Sequence, residues 1–145
     1  MRILATTTAL ALFILDQALK LIAQHNGPSA GLYTYTLNTG MTFGFFPNAN
    51  TAMIVISVIA LALLVYVIRT EKNYEFFGLA LIIAGVLSNG IDRLVHGGVI
   101  DYIRIGTFPV FNIADALIIT GVAVLIGLEA QKTVQKSSKS SRSSK

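Results

Sequence analysis

The chain contains no cysteine. Disulfides, a thiolate nucleophile and thiolate-held metals are excluded, and cysteine usage says nothing of the redox compartment. Histidine is almost as scarce: His25 and His96 form no metal motif and no His-Glu-x-x-His segment occurs, so a zinc protease is not expected. Gly-x-Ser-x-Gly and phosphate-loop patterns are missing as well. Charge is the other shortage. Asp, Glu, Lys and Arg make up 12% of 145 residues, against about 25% in a soluble domain. With 54% hydrophobic residues and a mean hydropathy of +0.70, this is an integral membrane protein, long enough for one compact bundle.

The balance of +4 raises the question of nucleic acid, but five of the eleven basic residues lie between Lys132 and Lys145. A basic tail beside a membrane helix marks the cytoplasmic side and touches anionic lipid. Membrane lipids are therefore expected partners, and nucleic acid is not. The N-terminus, Met1-Arg2 followed by apolar Ile3 to Leu15, mimics a signal peptide. No small-x-small site closes the run, and it reads as an uncleaved first membrane helix.

Four segments have spanning length, about 20 residues for a helix crossing hydrocarbon: Ile3–Ala23, Thr51–Ile68, Phe76–Val95 and Asn112–Leu128. The second is apolar apart from Thr51, Ser57 and Tyr66, and is expected to face lipid most. Arg2, Arg69, Lys72 and the five basic residues of the tail fall on one side, Lys20, Arg93 and Arg104 on the other. This bias predicts both termini in the cytoplasm. Tyr33 to Leu37 alternates as a half-buried strand does, and Val99 to Ile105 is a second short strand between glycines. A small β element on the outer surface is expected. Residues 1–130 read as the membrane domain and 131–145 as a disordered basic tail.

This topology gathers the intramembrane charges at one depth. Asp16 and Lys20 end the first span, Asn89, Asp92 and Arg93 end the third, and Asn112 and Asp115 begin the fourth. Asp101 lies in the loop beside them. Asp16 and Lys20, four apart, share a helix face, as do Asn89 and Arg93, with Gly85 one turn deeper. Gly85 allows close approach of a backbone or a ligand. Carboxylates are costly near lipid, and two close together share a proton. The ionised member takes a proton from water while the protonated member polarises a peptide carbonyl. That is aspartic-protease chemistry, for which no metal or cofactor is required.

Each residue also has a plainer reading. Asp101 is equally a solvated loop acid and Asp115 a helix N-terminal acid favoured by the dipole. Asp92 reads as mainly structural, Arg93 as functional because its fork binds carbonyls or carboxylates. Asp16 with Lys20 reads as an internal pair. Asn38 and Asn112 combine turn or cap bonds with a site role. Tyr33, Tyr35, Phe43, Phe45 and Phe46 read as interfacial anchors. Ser88 beside Lys20 imitates a serine–lysine dyad, but it sits on the outward face if Asn89 and Arg93 look inward.

Four blocks, in order, resemble bacterial lipoprotein signal peptidase (signal peptidase II). They are Asp16-Gln17-Ala18-Leu19-Lys20; Asn38-Thr39-Gly40-Met41-Thr42-Phe43-Gly44; Gly85 to Arg93 with Gly98-Val99-Ile100-Asp101-Tyr102; and Phe108-Pro109-Val110-Phe111-Asn112-Ile113-Ala114-Asp115. The resemblance implies an all-α membrane protein: a four-helix bundle with a small extracytoplasmic β-cradle, in the bacterial cytoplasmic membrane. It implies an aspartyl endopeptidase that cuts prolipoproteins before a diacylglyceryl-modified cysteine, with Asp101 and Asp115 catalytic. Asn38, Asn89, Arg93 and Asn112 would position substrate and pair, with Asp16, Lys20 and Gly85 in support. No cofactor or metal is implied, and a monomer is expected. Ser88, Thr42, Ala116 and Tyr102 depart from the family's common Gly, Ala, Ser and Phe. The competing classes are a small transporter, disfavoured because the acids crowd one edge rather than the midplane, and a non-catalytic binder of lipidated peptides.

Overall fold

In the computed structural model, residues 2–28, 31–40, 49–70 and 76–143 are described. Methionine 41 to Asn48, with Thr42, Gly44 and the Phe43/Phe45/Phe46 cluster, lies outside them, as does most of the turn after Arg69. The element order is α1 (Arg2–Asn26), β1 (Tyr33–Asn38), α2 (Asn50–Thr70), α3 (Phe76–His96), β2 (Val99–Ile103) and α4 (Ile113–Ser143). All four helices are long and apolar enough to cross a membrane. Two helices stop at glycines in the left-handed region, Gly27 at φ 69° and Gly97 at φ 73°. Gly27 N donates to Ala23 O and Pro28 follows, a combination that cannot continue a helix.

The bundle is organised around α3, which packs against each of the other helices. More than half of its spanning window is buried, whereas none of the α2 window is. This agrees with the lipid-facing role expected for α2. Close approach of α3 to α4 rests on small residues seven apart. A Cβ at Gly85 would stand 2.5 Å from the Ala114 carbonyl oxygen, and one at Gly78 would stand 2.9 Å from that of Gly121. In lipid, where burial of apolar area gives little drive between helices, such close packing holds the pair. Gly85 thus admits a neighbouring backbone, the first of the two alternatives for it.

Strands β1 and β2 pair antiparallel, with Thr36 opposite Asp101 and Asn38 opposite Val99. An isolated bridge joins Ile103 to Phe111, turning the chain back to the start of α4. Tyr33 and Tyr35 pack against a cluster of Ala23, Ile100 and Tyr102. They serve the interior rather than only an interface, because the short sheet lies against the end of α1.

One expectation is corrected in α4. The helix runs through Ser143, whereas the sequence suggested an unstructured tail from residue 131. No glycine or proline follows Gly127 to stop it. Alanine, glutamine and lysine favour helix, and Lys132 pairs with Glu129 at 3.3 Å on the exposed face.

Candidate active site

Five elements bring their polar residues to the end of the bundle away from the chain termini. From β2, alternation sends Asp101 to one face and Tyr102 to the other. Asn38, paired with Val99 on β1, lies diagonal to Asp101 on the same face, and its Nδ2 donates to Asp101 Oδ2 at 3.1 Å. From the start of α4, Asn112 Nδ2 donates to Asp101 Oδ1 at 2.8 Å. Each oxygen of Asp101 therefore accepts from an amide, and the residue is 2% exposed.

Asn112 also caps α4. Its Oδ1 accepts from Asp115 N at 2.8 Å, while Asp115 Oδ2 accepts from Asn112 N at 3.4 Å. This is a reciprocal capping box with aspartate in the third position. The capping reading of Asp115 is thus correct as geometry, and it leaves Oδ1 turned into the site, where Asn89 Nδ2 donates at 2.9 Å. One residue, Asn112, touches both carboxylates. Asp115 is 8% exposed.

Burial first, then the charge of Asp115, pushes the Asp101 carboxyl up to about 7, partly offset by its hydrogen bonds from Asn38 and Asn112 and by Lys20. A proton is therefore retained at Asp101 near neutrality. Two buried carboxyl groups that both bond to Asn112 are suited to sharing a proton.

Behind the pair lies a sealed ionic layer. Lys20 Nζ is 2.8 Å from Asp16 Oδ2 and 2.9 Å from Asp92 Oδ2, and all three residues are 1% exposed or less. The same ammonium donates to Asn89 Oδ1 at 2.9 Å. That bond fixes which end of the Asn89 amide faces Asp115. Asp92 further accepts from Ile100 N at 3.1 Å, tying α3 to β2, so its structural reading stands. Arg93 is 9% exposed; its Nη1 reaches Asn89 O at 3.4 Å, and its Nε is buried without an acceptor among the described residues. A buried donor left unpaired is costly and is suited to a substrate oxygen.

All the sequence-identified residues thus converge, with Gly85 one turn below. The sequence reading missed three others. Gln17 Nε2 donates to Ser88 Oγ at 2.7 Å and to Asp92 Oδ1 at 3.2 Å. Tyr102 Oη donates to Asp16 Oδ1 at 2.8 Å. Burial and the neighbouring Asp16 charge push the Tyr102 phenol up, so it stays a donor. Ser88 is fully buried rather than outward-facing, since α3 has buried faces toward both α1 and α4. It forms no serine–lysine dyad. Lys20 donates to Ser88 Oγ at 3.2 Å, the reverse of what a base needs, and the hydroxyl proton goes to Asp16 at 2.6 Å. The departure at Ser88 would be found by noting that Gln17 and Ser88 offer complementary polar groups on two spanning helices.

The family model for signal peptidase II matches residues 8–130. The chain belongs to the signal peptidase II family. The lipoprotein signal peptidase of Pelotomaculum thermopropionicum is 38% identical over 118 residues, 79% of this chain and 77% of that protein. That of Mesorhizobium japonicum is 42% identical over 99 residues, 63% of this chain and 59% of the relative. A solved bacterial membrane enzyme superposes with a TM-score of 0.81 at 28% identity, covering 93% of this chain and 90% of that one. Members of that family are membrane aspartic proteases that remove signal peptides from prolipoproteins, and this chain is such an enzyme.

Proposed function

We propose that Asp101 and Asp115 are the catalytic pair of a membrane aspartyl endopeptidase that removes the signal peptide of diacylglyceryl-modified prolipoproteins, cutting before the lipidated cysteine. The observation that carries this reading is the meeting of the two buried carboxylates on Asn112. Asp115, fed by Asn89 and the Asn112 backbone, takes a proton from the attacking water. Asp101 gives its proton to the carbonyl oxygen as the tetrahedral intermediate forms. Collapse then sends a proton to the leaving amine and breaks the C–N bond. Arg93 Nε, without an acceptor among the described residues, is suited to hold a substrate carbonyl. Asn38, Asn89 and Asn112 hold the pair, with Lys20 and Asp16 behind them.

The site lies on the extracytoplasmic side of the bacterial cytoplasmic membrane, with both termini in the cytoplasm. Support comes from the basic residues at the opposite end, Arg2 at the start of α1, Arg69 at the end of α2 and the basic stretch that closes α4. A diacylglyceryl anchor would keep the scissile bond at headgroup depth, where the carboxylates stand, and the lipid supplies binding energy while the site positions the bond. The enzyme acts as a monomer without cofactor.

The test is cleavage of a lipidated prolipoprotein by purified wild type, Asp101→Asn and Asp115→Asn. Both variants are expected to insert and fold but not to cleave. Full activity in either removes the pair from the mechanism. Proton-coupled flux in proteoliposomes without proteolysis would favour a transporter instead.

A further inference from the structure

Asp115 is the third residue of α4, so whatever fixes the first turn of that helix fixes the carboxylate. A helix start leaves its first NH groups without intrahelical acceptors. Each of the three here finds one elsewhere. Ile113 N donates to Tyr102 Oη at 3.3 Å, Ala114 N to Asp16 Oδ1 at 3.2 Å, and Asp115 N to Asn112 Oδ1 at 2.8 Å. Ala116 N then begins the ladder on Asn112 O. Two of the three acceptors are therefore supplied by β2 and α1, not by the capping residue.

Asp16 is itself held at both oxygens by hydroxyls from different elements. Tyr102 donates to Oδ1 at 2.8 Å, and Ser88 donates to Oδ2 at 2.6 Å. Asp16 and Ser88 are 0% exposed and Tyr102 is 1% exposed. We propose that Tyr102 and Ser88 are positioning residues: through Asp16 they lock the first turn of α4 and so set where Asp115 stands against Asp101. The inference rests on the reading of Asp101 and Asp115 as the catalytic pair.

The ion pair with Lys20 acts on Oδ2 only. A turn of the carboxylate about its Cβ–Cγ bond moves both oxygens, and Tyr102 on Oδ1 and Ser88 on Oδ2 add to that restraint from either end. The Tyr102 hydroxyl has a double part, since it accepts from Ile113 N while donating to Asp16. A phenylalanine there would take the acceptor from Ile113 N and leave Asp16 Oδ1 with the Ala114 N bond alone. Neighbouring residues on a strand face opposite ways. The one strand β2 thus presents Asp101 directly and anchors the helix of Asp115 from its other face.

The experiment is steady-state cleavage of a lipidated prolipoprotein by purified wild type, Tyr102→Phe, Ser88→Ala and the double variant, with melting temperatures in the same detergent. Phenylalanine keeps the ring and its contact with Tyr33. A small displacement of a reacting group is felt in turnover rather than binding. Tyr102→Phe is expected to lower kcat about tenfold with KM within about twofold. Ser88→Ala is expected to lower kcat about threefold. The double variant is expected to fall below the product of the singles, because either hydroxyl alone still restrains Asp16. Unchanged kcat in Tyr102→Phe, a loss confined to KM or to melting temperature, or losses that simply multiply would each overturn the proposal. Asp115→Asn runs alongside. Normal cleavage by that variant refutes the catalytic pair itself; an inactive Asp115→Asn beside a fully active double variant keeps the pair and discards the lock.

Discussion

Replacing Gly85 with alanine adds one methyl group and tests how tightly the helix contact sets the chemistry. The new Cβ would lie 2.5 Å from the Ala114 carbonyl oxygen and 2.7 Å from Ile118 Cγ1, where ordinary contact begins at 3.4 Å. The oxygen is backbone and cannot swing aside, so α3 and α4 must part locally by about an ångström. Overpacking of this kind costs about 1–3 kcal/mol, and alanine recovers about 1 kcal/mol of helix propensity. The net change in stability is therefore small. Ala114 adjoins Asp115, however, and about an ångström of misplacement at a reacting group is worth about a hundredfold in rate. Cleavage kinetics and melting temperature measured on one preparation should diverge, with kcat down about a hundredfold while most of the stability remains. Gly90→Ala supplies the contrast on the same helix: none of the described residues lies within 4 Å of a Cβ there, so kcat is expected to hold and the melting temperature to hold or rise. Wild-type turnover by Gly85→Ala would refute the claim that the close contact of α3 with α4 sets the pair.

Other consequences follow from the same geometry. Asp101 keeps its proton up to about pH 7; kcat/KM should fall above that pH, about tenfold per unit as the proton is lost. Asn38 donates to the Asp101 carboxylate and favours its ionised form. Asn38→Ala should therefore hold the proton more tightly and move the basic limb of the pH–rate profile to higher pH; a limb that stays or moves lower contradicts the assignment. Lys20→Met leaves Asp16 and Asp92 buried against each other without their shared cation. Breaking such a buried pair costs about 3–5 kcal/mol, to be read as a drop in melting temperature or in recovered folded protein, and a variant as stable as wild type would rule out that role.

The spans, both strands and the convergence of acids were legible because each rests on a strong local signal. Apolar runs of membrane length, glycines at helix ends and alternation in Tyr33 to Leu37 need no tertiary knowledge. Asn112 and Asp115 were legible twice over, since a cap and its third-position acid form a sequence pattern whatever their further use. The end of α4 was less so. Polar composition signals the loss of a core, yet it does not forbid a helix built on residues of good propensity.

Ser88 shows where the reasoning by faces stops. Helical spacing puts Asn89 and Arg93 on one side, and a single inward side centred on that pair leaves 88 outside. That holds for a helix with one packed neighbour. Here α3 meets α1 and α4 at once, and its buried arc takes in Gly85, Ser88, Asn89, Asp92 and Arg93 together. Asn89 then serves Asp115 on α4, and Ser88 serves Asp16 on α1. The width of the arc is a property of how many helices surround α3, which no periodicity within α3 encodes. What the sequence does carry is the complementary group on the partner helix. Asp16, Gln17 and Lys20 supply two acceptor oxygens, an amide and an ammonium at the end of α1 that faces Ser88. In hydrocarbon these groups need partners, and a serine at the same depth on another span is the natural place to find one. Matching polar groups by depth across helices, rather than by face within one helix, would have turned Ser88 inward.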